Sequence, residues 1–280
     1  MLSKIGMQKI NSNLGTALRT LVVLVFTWIM VLIVKGYESF TIMKPINYLF
    51  IILSGLCTGF SWLAYFRALQ LGNINKVTPV DKSSTILTMV LSFIILNESI
   101  SLNMILGIIF IGLGTYLMIV KKDISTNNKE KSTWFIYALL SAIFASLTSI
   151  LAKIGMDGVN SNLATALRTI VVLVMSWIIV LATKKQKEIK NIDKKGWIFI
   201  SLSGLATGIS WLCYYQAIKD GINSVVVPID KLSIVFTIGF SYFVFKEKLS
   251  KKAFLGLVLI VLGTLAVLYV PAIFNFNIWK

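Results

Sequence analysis

Lys153-Ile154-Gly155-Met156, followed by Asn160-Ser161-Asn162-Leu163-Ala164-Thr165-Ala166-Leu167-Arg168-Thr169, is the second occurrence of one pattern in this chain. The first reads Lys4-Ile5-Gly6-Met7 and Asn11-Ser12-Asn13-Leu14-Gly15-Thr16-Ala17-Leu18-Arg19-Thr20. The offset of 149 residues, Lys4 to Lys153, holds without a gap. It carries Ser54-Gly55-Leu56 onto Ser203-Gly204-Leu205, and Pro79, Asp81 and Lys82 onto Pro228, Asp230 and Lys231. The chain is therefore a duplication, with a first repeat at 1–121, a polar linker at 122–132 and a second repeat at 133–271.

Both copies are apolar. Hydrophobic residues make up 57% of the chain and charged residues 14%, and mean hydropathy is +0.85. Soluble domains are nearer a quarter charged, so the class is all-α integral membrane. Nine segments have roughly the 20 residues needed to cross about 30 Å of hydrocarbon. They lie near 14–34, 46–70, 78–97, 103–120, 133–153, 163–183, 196–218, 227–246 and 252–271. None alternates in polarity as a barrel strand would.

Nine is odd because the second repeat opens with a helix, 133–153, whose counterpart would precede Met1. The reading is a ten-helix plan lacking its first helix, with either a start upstream of Met1 or a lost segment. A full repeat of five helices makes the two halves antiparallel, an inverted repeat. Lysines support this. The N-terminus and the loops around 71–77, 121–132, 184–195 and 246–252 are Lys-rich, whereas the opposite face carries only Lys35, Lys44, Lys153, Lys219 and Lys280. The Lys-rich face is expected to be cytoplasmic. The net charge of +16 thus belongs to a bilayer surface rather than to nucleic acid. No cleavable signal peptide is expected, and the chain is placed in the cell membrane, a bacterial plasma membrane, as a multi-pass protein.

The strings at 153–169 are joined by Ser203-Gly204-Leu205-Ala206-Thr207-Gly208-Ile209-Ser210-Trp211-Leu212-Cys213-Tyr214-Tyr215-Gln216-Ala217, by Val226-Val227-Pro228-Ile229-Asp230-Lys231-Leu232-Ser233 and by Lys246-Glu247. Together they resemble the EamA domain of the drug/metabolite transporter superfamily over nearly the whole chain. The resemblance implies a ten-helix inverted repeat of two EamA-type bundles around a central cavity, and export of small metabolites. Small relatives in the superfamily bind cations through a glutamate in the first helix of the repeat. The surviving copy at 134–153 has no acidic residue, so that mechanism is not expected here.

Ionisable residues within spans cost about 3 kcal/mol or more and are functional candidates by default. Arg19, Asp81 and Lys82 in the first repeat match Arg168, Asp230 and Lys231 in the second. Trp62 with Tyr65, and Trp211 with Tyr214, form i, i+3 aromatic pairs on one helix face. The bland readings are snorkelling arginines, an aromatic belt, and aspartates in a first helical turn after Pro79 and Pro228 at N1, with Thr78 and Asp81 at capping-box spacing. On the functional reading, Arg19, Trp62, Tyr65, Asp81 and Lys82 gather near one mouth. Arg168, Trp211, Tyr214, Asp230 and Lys231 gather near the other. Arg pairs with Asp in whichever gate is closed. Glycines at 55, 59, 204, 208, 107, 114, 256 and 263 read as close helix packing.

A duplicated membrane bundle is the architecture of a secondary transporter. The solute is expected to be amino-acid-like or an organic acid, since each repeat contributes Arg, Lys and Asp. No cofactor, metal or catalytic residue is expected: the chain has no histidine, Cys57 and Cys213 read as buried small hydrophobes, and no phosphate-binding glycine loop occurs. Two alternatives stay open. One is a non-transporting or incomplete subunit that needs a partner, with a homodimer as one such assembly. The other is an intramembrane lipid-modifying enzyme.

Overall fold

In the computed structural model, residues 11–71, 77, 80–119, 133–233, 235–236 and 250–273 are described. Their regular structure is helical: α1 (Ser12–Ile33), α2 (Pro45–Leu71), α3 (Ser84–Ile95), α4 (Leu102–Ile119), α5 (Thr133–Gly155), α6 (Ser161–Ala182), α7 (Lys194–Asp220), α8 (Asn223–Lys231) and α9 (Lys251–Ile273). Short 3-10 helices at Gly36–Thr41 and Gln186–Asn191 follow α1 and α6. Among the described residues six helices are long and apolar enough to cross a membrane, namely α1, α2, α5, α6, α7 and α9. Exposed faces are apolar too. On α1 the exposed residues Leu21, Val25, Ile29 and Leu32 recur on one side, a pattern that suits lipid rather than water.

Two sequence expectations change. The span expected at 78–97 contains a turn at Ser83, and its main helix is Ser84–Ile95. The segment expected from 227 starts earlier, at Asn223, so Pro228 lies inside α8 rather than at N1. A proline there lacks the N–H that would bond Ser224 C=O, and α8 ends three residues later at Lys231. Thr78, Pro79 and the remainder of the 227–246 span lie outside the described residues.

The chain divides into two compact units, 1–59 with 151–219 and 60–150 with 220–280. Each unit takes helices from both repeats.

In the first unit the two repeats make matching contacts. Asn11 Oδ1 accepts from Asn13 N at 3.0 Å, and Asn160 Oδ1 accepts from Asn162 N at 2.9 Å. These are side-chain N-caps of α1 and α6, each worth about 1 kcal/mol. The backbone N–H of each cap is held by the 3-10 turn of the other repeat: Asn11 N donates to Glu188 Oε2 at 3.2 Å and Asn160 N to Ser39 Oγ at 3.1 Å. Ser39 and Glu188 are themselves 149 residues apart. Glycines let the helices meet. A Cβ on Gly55 of α2 would lie 2.7 Å from Val171 Cβ of α6, and one on Gly204 of α7 would lie 2.6 Å from Val22 Cβ of α1. Gly59 faces Met175 and Gly208 faces Phe26 in the same register. Hydrocarbon does not drive apolar helices together, so this close approach is a main source of their attraction. A buried cluster of Leu14, Ala17, Leu18, Val180 and Ile200 joins α1, α6 and α7.

In the second unit α4 and α9, again repeat equivalents, run antiparallel. A Cβ on Gly114 would lie 2.5 Å from Gly256 O, and one on Gly263 would lie 3.0 Å from Gly107 O. Met89, Met104, Val225 and Val267 form the adjoining core of α3, α4, α8 and α9. The start of α8 is capped from a distance. Glu98 accepts Asn223 N at 2.6 Å and Ser224 N at 2.9 Å through its two carboxylate oxygens. Asn223 Nδ2 donates to Ser92 Oγ at 2.9 Å. The N-terminus of α8 thus sits at the C-terminus of α3, and the two helices run antiparallel.

Candidate functional site

Arg168 is the most deeply buried charge among the sequence candidates, 3% exposed. It sits on α6, one repeat, and is held by α2 of the other. Nε donates to Ser54 Oγ at 2.9 Å and Nη2 donates to Thr58 Oγ1. Ser54 and Thr58 are one turn apart, so both hydroxyls face the guanidinium. On its other side are rings of α7. The guanidinium carbon lies 5.3 Å from the Trp211 ring centroid and 4.4 Å from that of Tyr215, within cation–π range. Nη1 is buried and has no hydrogen-bond partner among the described residues. Leaving such a donor unmet costs roughly 1–3 kcal/mol, more for a charged group. Arg168 lines a narrow crevice with Ile51, Ala152, Met156, Ala164, Thr165 and Tyr215.

Of the group expected with Arg168, the structure brings Trp211 against the guanidinium and Tyr214 within its electrostatic range. The second ring against it is Tyr215, at i+4 from Trp211, whereas Tyr214 meets the Tyr215 ring edge-on at 5.2 Å. Sequence pattern alone does not single out Ser54, Thr58 and Tyr215. Their signal was present as Ser-x-x-x-Thr beside Gly55 and Gly59, and as Trp-x-x-x-Tyr beside the chosen pair. Arg19, its repeat equivalent on α1, is only partly buried.

The second unit holds the acids and lysines. Asp81 Oδ1 accepts from Ser141 Oγ at 2.7 Å. That serine is in turn tied to Ser61, whose Oγ donates to Ser141 O at 3.1 Å. Lys231 Nζ lies 3.6 Å from Asp230 Oδ2, and Lys231 is also within electrostatic range of Lys82 and Asp81. Asp81, Lys82, Asp230 and Lys231 thus share one region, with Lys82 and Asp230 exposed and the other two partly exposed. The helix register explains this. Asp230 is the eighth residue of α8, about 10 Å along the axis from its start at 1.5 Å per residue. Because α8 runs antiparallel to α3, that depth brings Asp230 level with the start of α3. Placing Pro228 at N1 put Asp230 too near a helix end. Tyr65 packs on Ala68, Val77 and Ala138, and Trp62 is partly buried.

Among the described residues no three His, Cys, Asp or Glu side chains gather where a metal ion would be held. Cys57 is buried, while Cys213 is exposed, unlike the sequence expectation.

Comparison with known proteins fits this construction. The chain matches the EamA-like transporter family over residues 1–120 and 132–269. It belongs to that family, and is a multi-pass membrane protein of the cell membrane. An uncharacterized transporter in the cobO 3′ region of Sinorhizobium sp is 44% identical over 133 residues, 48% of this chain and 94% of that protein. An uncharacterized transporter of Archaeoglobus fulgidus is 24% identical over 75% of this chain and 71% of its own length. Protein MJ1333.1 of Methanocaldococcus jannaschii, also uncharacterized, is 30% identical over 47% of this chain and 93% of its own. A solved crystal structure superposes with a TM-score of 0.76 at 16% identity, over 96% of this chain and 92% of that one, and shares the fold. Family and relatives point to a transporter rather than an enzyme.

Proposed function

We propose that this chain is a secondary transporter that exports a small carboxylate-bearing solute, amino-acid-like or an organic acid, by alternating access. The observation that carries the proposal is the gathering of Asp81, Lys82, Asp230 and Lys231, contributed by equivalent positions of the two repeats. Charges among apolar helices are costly and are kept where they serve a solute or proton path. Asp81 and Asp230, the two acids of that group, are assigned to coupling. Arg168 with Trp211 and Tyr214, and Arg19 at the equivalent position of the first repeat, are assigned as the residues that read the solute. The test is flux of a mixed labelled pool of amino and organic acids from proteoliposomes under an imposed pH gradient, with Asp230→Asn in parallel. Gradient-driven loss of one compound, reduced in the variant, supports the reading. Equal flux in protein and variant sinks the coupling role.

A second reading is an assembly subunit that works with a partner chain. It is favoured by the length of two relatives, each matched over more than nine-tenths of its own chain by about half of this one. Those proteins have the length of one repeat, so a two-repeat bundle there requires two chains. Mass measurement of this protein in detergent separates the readings: a monomer that transports excludes the partner requirement.

A further inference from the structure

We infer that Arg19, together with Ser203 and Thr207, forms a second guanidinium cradle, the unlocked counterpart of the one at Arg168, and that it takes the carboxylate of a solute. This deepens the transport reading by naming a binding group, and rests on it only for the solute's identity.

The backbone register around the two arginines is the same. A Cβ on Gly55 would lie 3.1 Å from Arg168 O, and one on Gly204 would lie 3.1 Å from Arg19 O. Ser54 and Thr58 flank Gly55 as Ser203 and Thr207 flank Gly204. The threonines are fixed alike, Thr58 Oγ1 donating to Ser54 O at 3.1 Å and Thr207 Oγ1 to Ser203 O at 2.7 Å. Thr58 Oγ1, having donated its hydrogen, accepts from Arg168 Nη2, and Thr207 Oγ1 donates in the same way and keeps the same capacity to accept.

The states of the two arginines differ. Arg168 is buried and bonded to both hydroxyls. Arg19 is partly exposed and, among the described residues, makes no hydrogen bond to Ser203 or Thr207. One fork is therefore locked on protein hydroxyls, while its copy, among the described residues, bonds neither of the equivalent hydroxyls. A planar fork of N–H donors matches a carboxylate in bidentate geometry.

The chain has three arginines, at 19, 67 and 168, so arginine-specific labelling resolves the question in the native protein. Arg67 is exposed on α2 and serves as the internal reference. The experiment is phenylglyoxal labelling in proteoliposomes, read site by site by peptide mass spectrometry, with benzoate, benzamide or inorganic phosphate present. The expected result is ready labelling of Arg19 and Arg67 and slow labelling of Arg168. Benzoate slows Arg19 roughly tenfold at about ten times its dissociation constant, because labelling then needs the empty site. Benzamide leaves it unchanged. In the Ser54→Ala/Thr58→Val variant Arg168 becomes reactive. Labelling of Arg19 that ignores benzoate, follows benzamide equally, or yields only to phosphate overturns the carboxylate site. The readout needs no flux, so its failure is distinct from a failure of the transport reading.

Discussion

Arg168 of the second repeat donates its Nε–H to Ser54 Oγ of the first at 2.9 Å, so the repeats are joined by a charge-assisted bond between buried groups. Ser54→Ala leaves that donor unmet inside an apolar unit. The expected loss is about 1–3 kcal/mol, read as a lower melting temperature in detergent. Arg168→Leu, which removes the buried charge with its donors, is expected to cost less than Arg168→Ala, which also opens a cavity.

Gly114 and Gly256 are reciprocal, each lying against the other's carbonyl oxygen, and a Cβ on either falls 2.5 Å from it. Backbone cannot move aside as a flexible side chain can. Gly114→Ala is expected to destabilise by about 1–3 kcal/mol through overpacking. Gly112, whose added Cβ would meet, among the described residues, only the Ile86 side-chain tip at 2.9 Å, is expected to tolerate alanine better. Thermal melts of the two variants in one detergent check the ordering.

Glu98 closes the start of α8 with both carboxylate oxygens. Glu98→Ala removes a cap and a charge favourable to the helix dipole, with an expected loss of about 1–2 kcal/mol. Faster amide exchange at Asn223 and Ser224 is the specific signature, and unchanged exchange there refutes the role.

Glu188 lies outside the spans. The hydrogen bond and charge of Lys185, and the N–H of Asn11, hold its carboxyl below the usual glutamate range. A depressed folded-state value means the contact stabilises above the ordinary glutamate range and is lost as pH falls through the lowered value. Protection of the Asn11 amide, its exchange measured against the intrinsic rate at the same pH, should therefore fall on acidification below that range, and Glu188→Ala should show the low protection at every pH.

The repeat, the helical class and the packing glycines were legible because each leaves a one-dimensional signal: a fixed offset, an apolar run, a small residue at a fixed spacing. The composition of the compact units was not. They are formed by contacts between repeats, such as Gly55 with Val171 and Gly204 with Val22, and local pattern says nothing about which repeat supplies a partner. Arg168 was legible as a costly charge, but its partners Ser54 and Thr58 are ordinary helix residues that matter only once α2 faces α6. Tyr214 and Tyr215 both lie within electrostatic range of Arg168; spacings of three and four from Trp211 share a helix face, and only the packed register shows that Tyr215 is the ring under the guanidinium. Asp230 was placed too near a helix end because proline is common at N1, whereas here Glu98 fixes the start of α8 at Asn223, five residues before Pro228.

The most direct test of the central claim is the pH profile of gradient-driven solute efflux from proteoliposomes, compared between the protein and its Asp81→Asn/Asp230→Asn variant. The account predicts efflux that collapses when the gradient is dissipated, and a variant with lost or pH-independent efflux while its melting temperature and Arg67 labelling stay unchanged. A variant that retains both the rate and the pH dependence of the parent contradicts it.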